Sequence, residues 1–208
     1  MNIYPRLMIH MYEFIYKVNR RIYLLLWNIL FQRDFKSFGK KTTIYKPRNI
    51  QGAKYIDLGC RTSFMPDAWL LALKIDDNDP QLVISNDCYI GHYVHIVSVR
   101  KVIIEDAVLV ADKVYISDNL HDFESISLPI IHQPVKFHRD VLIKSGAWIG
   151  ENVCIIGASV GKNSVVAANS VVTKDVPDYC VVAGAPARII KRYCHESQSW
   201  KKINHEST

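Results

Sequence analysis

Across residues 143–176 an aliphatic side chain returns at a near-constant step of six: Ile143, Ile149, Ile155, Val160, Val166 and Val172. A small residue usually follows it, and Ala, Val or Ser stands four places on. A period of six matches neither an α-helix nor an alternating strand. It is the signature of a parallel β-helix, in which each unit is one short strand and one corner. The opening aliphatic points into a narrow prism and stacks on its counterpart one coil away. The residue four places on also faces inward, beside a corner, and has to be small. Gly150, Gly161 and Ala167 follow the aliphatic, where bulk would crowd the next coil. Asn152, Asn163 and Asn169 mark the turns, since Asn tolerates unusual backbone. One unit cannot bury its own face, so the stack must be long.

The pattern changes along the chain. Tyr4, Met8, Met11, Ile15, Val18, Ile22, Leu25 and Ile29 alternate steps of four and three, a helical stripe, with Arg6, His10, Glu13, Lys17 and Arg20 opposite. Residues 1–36 therefore form an amphipathic helical segment. Such a helix either docks on the solenoid or a neighbouring subunit, or lies at a membrane surface with Arg20, Arg21, Arg33 and Lys36 toward anionic lipid. The step of six starts at Ile44, continues through Ile50 and Ile56, and blurs between residues 58 and 75 as an irregular coil; residues 76–80 form a polar turn. Four triplets of hexads then open at 84/90/96, 104/110/116, 143/149/155 and 160/166/172. Ten of these twelve units have Cys, Val, Ala or Ser at the fifth place, and the exceptions, Arg100 and Leu120, adjoin breaks in register.

Three breaks stand out. Ile96 to Ile104 is eight residues, Ile155 to Val160 is five, and Ile116 to Ile143 is 27. The last loops out residues 117–140, an excursion of a length that is usually functional. It holds His121, His132 and His138 beside several carboxylates. After Val176, the run Cys180-Val-Val-Ala-Gly-Ala-Pro186 leads into residues 187–193, where Pro186 suits the first turn of a short C-terminal helix capping the prism. The organisation expected is thus an all-β solenoid domain over 44–193, with loop 117–140 protruding and a cap at 177–193. A polar tail, 194–208, follows.

Composition narrows the function. The 208 residues carry a net charge of +6 and are 49% hydrophobic, which suits one ordered domain with an anionic partner. The basic residues are scattered, with no zinc-finger, RRM or helix-turn-helix pattern, so nucleic acid is not expected. Five cysteines without a CxxC pair read as reduced thiols in a cytosolic protein. The most apolar early run, residues 22–31, is interrupted by Asn28 and far short of a membrane span, and no secretory signal is read. The expected location is cytoplasmic, with peripheral contact at the inner face of the membrane through the N-terminal helix as an added reading.

The hexads, the histidine-bearing loop, and Val171-Val-Thr-Lys-Asp-Val-Pro177 followed by Val181-Val-Ala-Gly-Ala-Pro-Ala-Arg188 resemble the hexapeptide-repeat acyltransferases. Within that family the likeness is to galactoside, maltose and nodulation-factor acetyltransferases and to polysaccharide O-acetyltransferases, over residues 80–193. The resemblance implies a left-handed solenoid, a homotrimer, and acetyl-CoA as cosubstrate in a groove between subunits. It also implies His121 as the catalytic histidine and Ala168, Thr173, Lys174 and Arg188 as CoA-contacting positions. Lys191 stands where some relatives have a second arginine. Asp118 matches an aspartate of the polysaccharide branch, either on the acceptor side or orienting His121; Asp122, Glu124 or a backbone carbonyl are alternatives for the second role. The usual Ile-Leu-Pro-Gly is here Ile155-Ile-Gly157, and the sugar-contacting positions of the galactoside enzymes find no match.

The chemistry suits this set. Histidine titrates near neutrality and can take a proton from a sugar hydroxyl that attacks the thioester carbonyl directly. Arginine and lysine grip phosphate. The expected activity is an acetyl-CoA-dependent O-acetyltransferase acting on a hydroxyl of a surface polysaccharide, its precursor or a glycoside. N-acetylation of a nucleotide-linked amino sugar is the alternative within enzymes, although no GxGxxG unit precedes the hexads. A non-catalytic trimeric scaffold would not need His121 with Lys174 and Arg188. The zinc-dependent γ-type carbonic anhydrases share the fold, but two of their ligands lie five apart. Here His92 and His95 lie three apart, so no metal is expected.

Overall fold

The structure, a computed structural model, describes residues 4–203. Residues 204–208 of the expected tail, and the side chains of Tyr4 and Arg6 in the expected helical stripes, lie outside what is described. Among the described residues one α-helix, α1 (Tyr4–Phe31), leads into a left-handed parallel β-helix. Its three ladders are sheets of five, nine and six strands. Ile44, Phe64, Ile90, Val110, Ile149, Val166 and Val182 fall in register on consecutive rungs of the second ladder. None of the seven is more than 2% exposed. The six-residue step therefore produces one continuous column of aliphatic and aromatic contacts, and two parallel columns complete the prism.

The corners explain the other places of the hexad. Asp87, Tyr93, Ala107, Lys113, Asn152, Asn163 and Asn169, each three places after an inward aliphatic, have φ between 49° and 60°. The slot at the fifth place is closed by small side chains: Cys88, Val94, Val108, Val114, Ala147 and Val153 are at most 2% exposed. A Cβ on Gly161 would run into the Asp178 backbone of the next rung, which accounts for glycine at the second place.

The coil expected to be irregular is regular. Leu58, Phe64 and Leu70 keep the step of six and are buried, so Ile56 does not open a hexad but stands two residues before one. The signal was hidden by polar residues in the inward slots. Thr42 and Thr62 are fully buried there, and each hydroxyl bridges two rungs. Thr62 donates to the Ser85 carbonyl (2.6 Å) and accepts from the Cys88 amide (3.1 Å). Ser164 repeats the device between Pro177 and Cys180. A buried hydroxyl satisfied in this way costs little. The ladder also begins before residue 44, at Ser37–Phe38.

Two further expectations are corrected. The short C-terminal helix does not form; Cys180–Ala183 turns back through residues 184–187 into Arg188–Cys194, and Ser199–Lys202 follows, all antiparallel. Ile189, Ile190 and Tyr193 favour strand, and the returning strands cover an otherwise open sheet edge. Part of the expected polar tail, Cys194 and Ser199–Lys202, is thus ordered as strand. At the other end, α1 docks with a face other than its apolar stripe. Trp27 is buried against Phe35 and Phe38, Tyr23 meets Tyr45 edge-on at 5.2 Å, and Asn28 donates to the Thr42 carbonyl. The stripe running through Met8, Met11, Ile15, Val18, Ile22, Leu25 and Ile29 is left exposed.

Ile116 is fully buried between Ile96 and Ile155 in the column of the six-stranded ladder, so Ile116→Ala should cost about 2–5 kcal/mol of stability, read as a lower denaturant midpoint at fixed protein concentration. An unchanged midpoint would place Ile116 outside the stack.

Candidate active site

All the irregularities in the step of six fall on one corner of the prism, the corner that follows the six-stranded ladder. On successive rungs this corner carries residues 73–80, 98–101, 117–140, 156–159 and 173–175, and cross-rung bonds tie them together. Arg100 donates to Asp76 (2.6 Å) and lies over the Phe137 ring. Arg139 pairs with Asp175 at 2.8 Å, and Asp175 also accepts from the Ser159 amide at 2.8 Å.

The excursion at 117–140 is a hairpin. Asn119–His121 pairs antiparallel with Val135–Phe137. Asp118, at its root, is fully buried. Its carboxylate accepts from the amides of Val99 (2.9 Å), Arg100 (2.8 Å) and Lys101 (2.7 Å), and from the Asn119 side chain (2.9 Å). Its own carbonyl accepts from the His138 amide at 2.8 Å. Asp118 therefore fastens the hairpin to the bulge one rung away, and its oxygens are occupied there rather than at His121 or an acceptor. Further out, Gln133 is buried and its amide bonds the carbonyls of Ser125 and Leu128, closing the loop on itself.

His121 is exposed at the end of the first hairpin strand and lines a cavity of about 260 Å³ with Leu120, Asp122, Phe123, Glu124, Lys136, Phe137 and His138. Lys136 lies 2.6 Å from Asp122 and holds its carboxyl below the usual carboxylate range. His138, another of the loop's three histidines, shares this cavity. Its ring packs over Gly157, where φ is +54° and a Cβ would strike the imidazole. The absence of a side chain at Gly157 is thus what leaves room for His138, and a glycine closing a hexad that faces the long loop was the available signal.

The other expected residues divide into two groups. Lys174 and Arg188 converge on one groove of about 290 Å³ with Asp175, Val176, Val182, Ala187 and Ile189. It lies about 10 Å, two strand spacings, along the same corner from the hairpin root. Ala168 lines a different groove, with Trp148 and Gly150. Thr173 is exposed beside Lys174, and Lys191 lies farther along its strand, opposite Val181 and Lys202. His95 stands apart from the site: it stacks on Trp69 at 4.2 Å, and burial and the nearby Arg48 push its pKa down. Among the described residues no three His, Cys, Asp or Glu side chains gather into a metal-binding group.

The structure thus joins a parallel β-helix, a histidine-bearing hairpin and a basic groove on one corner, and the comparisons with known proteins report likeness to acetyltransferases in sequence and to acyltransferases in fold. No protein-family model matches the chain. A lipopolysaccharide biosynthesis O-acetyl transferase so named, WbbJ of Escherichia coli, is 38% identical over 125 residues, 57% of this chain and 64% of that protein. Galactoside O-acetyltransferase of Escherichia coli is 35% identical over 113 residues, 52% of each chain. The chain thus covers between about half and just under two thirds of these relatives. Among solved structures, AntD from Bacillus cereus, an N-acyltransferase in complex with dTDP and 3-hydroxybutyryl-CoA, superposes with a TM-score of 0.68 at 20% identity, over 82% of this chain and 89% of its own. The resemblance read from the hexads and the loop holds.

If Asp118 is the latch, Asp118→Ala should speed hydrogen exchange at the amides of Val99, Arg100 and Lys101 and across the hairpin, while the first two coils stay protected. Unchanged exchange at those three amides would contradict the assignment.

Proposed function

We propose that this protein transfers an acetyl group from acetyl-CoA to a hydroxyl of a saccharide, a surface polysaccharide, its precursor or a glycoside. The observation that carries the reading is that the hairpin bearing His121 and the Lys174–Arg188 groove share one corner of the solenoid, the hairpin root about 10 Å from the groove along its axis. In the step proposed, the imidazole of His121 takes the hydroxyl proton as the oxygen attacks the thioester carbonyl. The C–O bond forms, the C–S bond breaks, and the proton returns from the imidazolium to the departing CoA sulfur. Lys174 and Arg188 hold the CoA phosphates. The groove suits such a guest: two cations stand over the apolar floor of Val176, Val182 and Ala187, and Asp175 is neutralised by Arg139. Thr173, Ala168 and Lys191 are proposed as outlying CoA contacts.

The names of the relatives support a sugar hydroxyl as the acceptor. N-acylation of a nucleotide-linked amino sugar is the second reading, favoured by the likeness to AntD over most of its length. A homotrimer is part of the proposal. The loop leaves Phe123 at 66% and Ile131 at 84% exposure, and a neighbouring subunit would cover such side chains while closing the cavity at His121. We further place the protein in the cytoplasm, peripheral to the inner face of the membrane. Among the described residues no helix is long and apolar enough to cross one.

Thiol release from acetyl-CoA, assayed over a panel of glycosides and amino sugars, tests the reading. His121→Ala should lose about 10²–10⁴-fold in kcat with the oligomer intact; a wild-type rate would remove His121 as the base. Arg188→Ala should raise KM for acetyl-CoA about tenfold and leave KM for the acceptor nearly unchanged. The opposite pattern would move Arg188 to the acceptor side.

A further inference from the structure

The positive charge of the chain sits at one end. Residues 1–54 contain eleven Lys and Arg against two Asp and Glu, a balance of +9. Residues 55–208 contain fifteen against eighteen, a balance of −3, and together these make the net +6. The basic part is α1 and the first coil, and they are packed on each other: Arg20 and Lys46 each lie 5.5 Å from the centre of the Tyr45 ring. Lys40, Lys41 and Lys46 are exposed on the rim of that coil.

The same end carries the uncovered apolar stripe. At 3.6 residues per turn, Leu25 points away from Tyr23 and Trp27, the residues that dock α1 on the solenoid, and Ile15 and Ile22 lie to one side of them, all three exposed. Leu25 is 63% exposed and Phe14 68%. Lys17 and Arg21 project between the docking face and the stripe, where a long side chain can keep its charge at a headgroup while the helix body lies deeper.

We infer that α1 lies in the plane of an anionic lipid bilayer, its apolar stripe among the acyl chains and the basic first coil facing the same headgroups. The proposal rests on the peripheral reading given above and specifies the face, the lipid charge and the depth. The charge argues against a second copy of the chain as the occupant, because two such ends would bring like charges together, whereas an anionic surface attracts every one of them. The hairpin that carries His121 leaves the fourth rung, so its root would stand about 14 Å, three strand spacings, beyond the first coil. That height suits a saccharide acceptor presented on a lipid carrier.

Flotation of the full-length protein with vesicles tests this, using phosphatidylcholine alone and phosphatidylcholine containing phosphatidylglycerol. Binding should require phosphatidylglycerol, weaken at least tenfold on raising salt from 0.05 to 0.5 M, and be lost in Ile22→Asp/Leu25→Asp and in Lys17→Glu/Arg21→Glu. Both variants should keep the wild-type melting temperature and thiol release with a water-soluble acceptor. Equal flotation on both vesicles would overturn the anionic surface while leaving the peripheral reading intact. Failure to float on either would overturn both. Sedimentation showing an assembly larger than a trimer that Ile22→Asp/Leu25→Asp dissociates would assign the stripe to a second copy and also overturn the proposal.

Discussion

Every rung of this solenoid shares one narrow interior with the rungs above and below it. Backbones stacked about 4.8 Å apart leave no room for an inward insertion, and the column from Ile44 to Val182 shows how evenly that space is filled. Any residue beyond the closed circuit has to leave outward at a corner. Here the departures are not spread around the prism. They share the corner after the six-stranded ladder, and this repeated choice is what brings distant parts of the sequence into one surface.

That corner is organised by polar contacts rather than by the apolar stack. The buried Asp118 carboxylate pins the hairpin to the bulge at residues 98–101, Arg139 reaches Asp175, and His138 occupies the space over Gly157. An isolated carboxylate would be costly in such a position; backbone amides aimed at it make the cost bearable. The outcome is a hairpin rooted at fixed height and orientation, with His121 at the end of its first strand. A general base needs that fixity, since its usefulness depends on reach as much as on basicity.

Much of this was legible in the chain. The step of six, the small fifth place and the 27-residue gap gave the solenoid and its protruding loop. What stayed hidden has particular causes. Thr42 and Thr62 occupy inward slots through hydrogen bonds that a hydrophobic pattern does not register, so a regular coil read as blurred. Pro186 fits a helix start or a tight turn equally well, and the pairing of Arg188–Cys194 with an open edge decided between them. Asp118 lies at the root of the loop, yet its backbone partners are 17 to 19 residues away and were invisible to local reasoning. The helical stripe of α1 was legible too, but a stripe marks a face for burial without saying what buries it; Tyr23 and Trp27, outside the stripe, do the docking.

The most direct test is a crystal structure of the full-length protein with CoA bound. The expected result is an oligomer with the CoA phosphates at Lys174 and Arg188 and its sulfur in a cleft that also contains the His121 imidazole, close enough for one acceptor oxygen to reach both. CoA bound elsewhere, or a sulfur with no His121 ring near it, would contradict the assignment of this corner as the catalytic one.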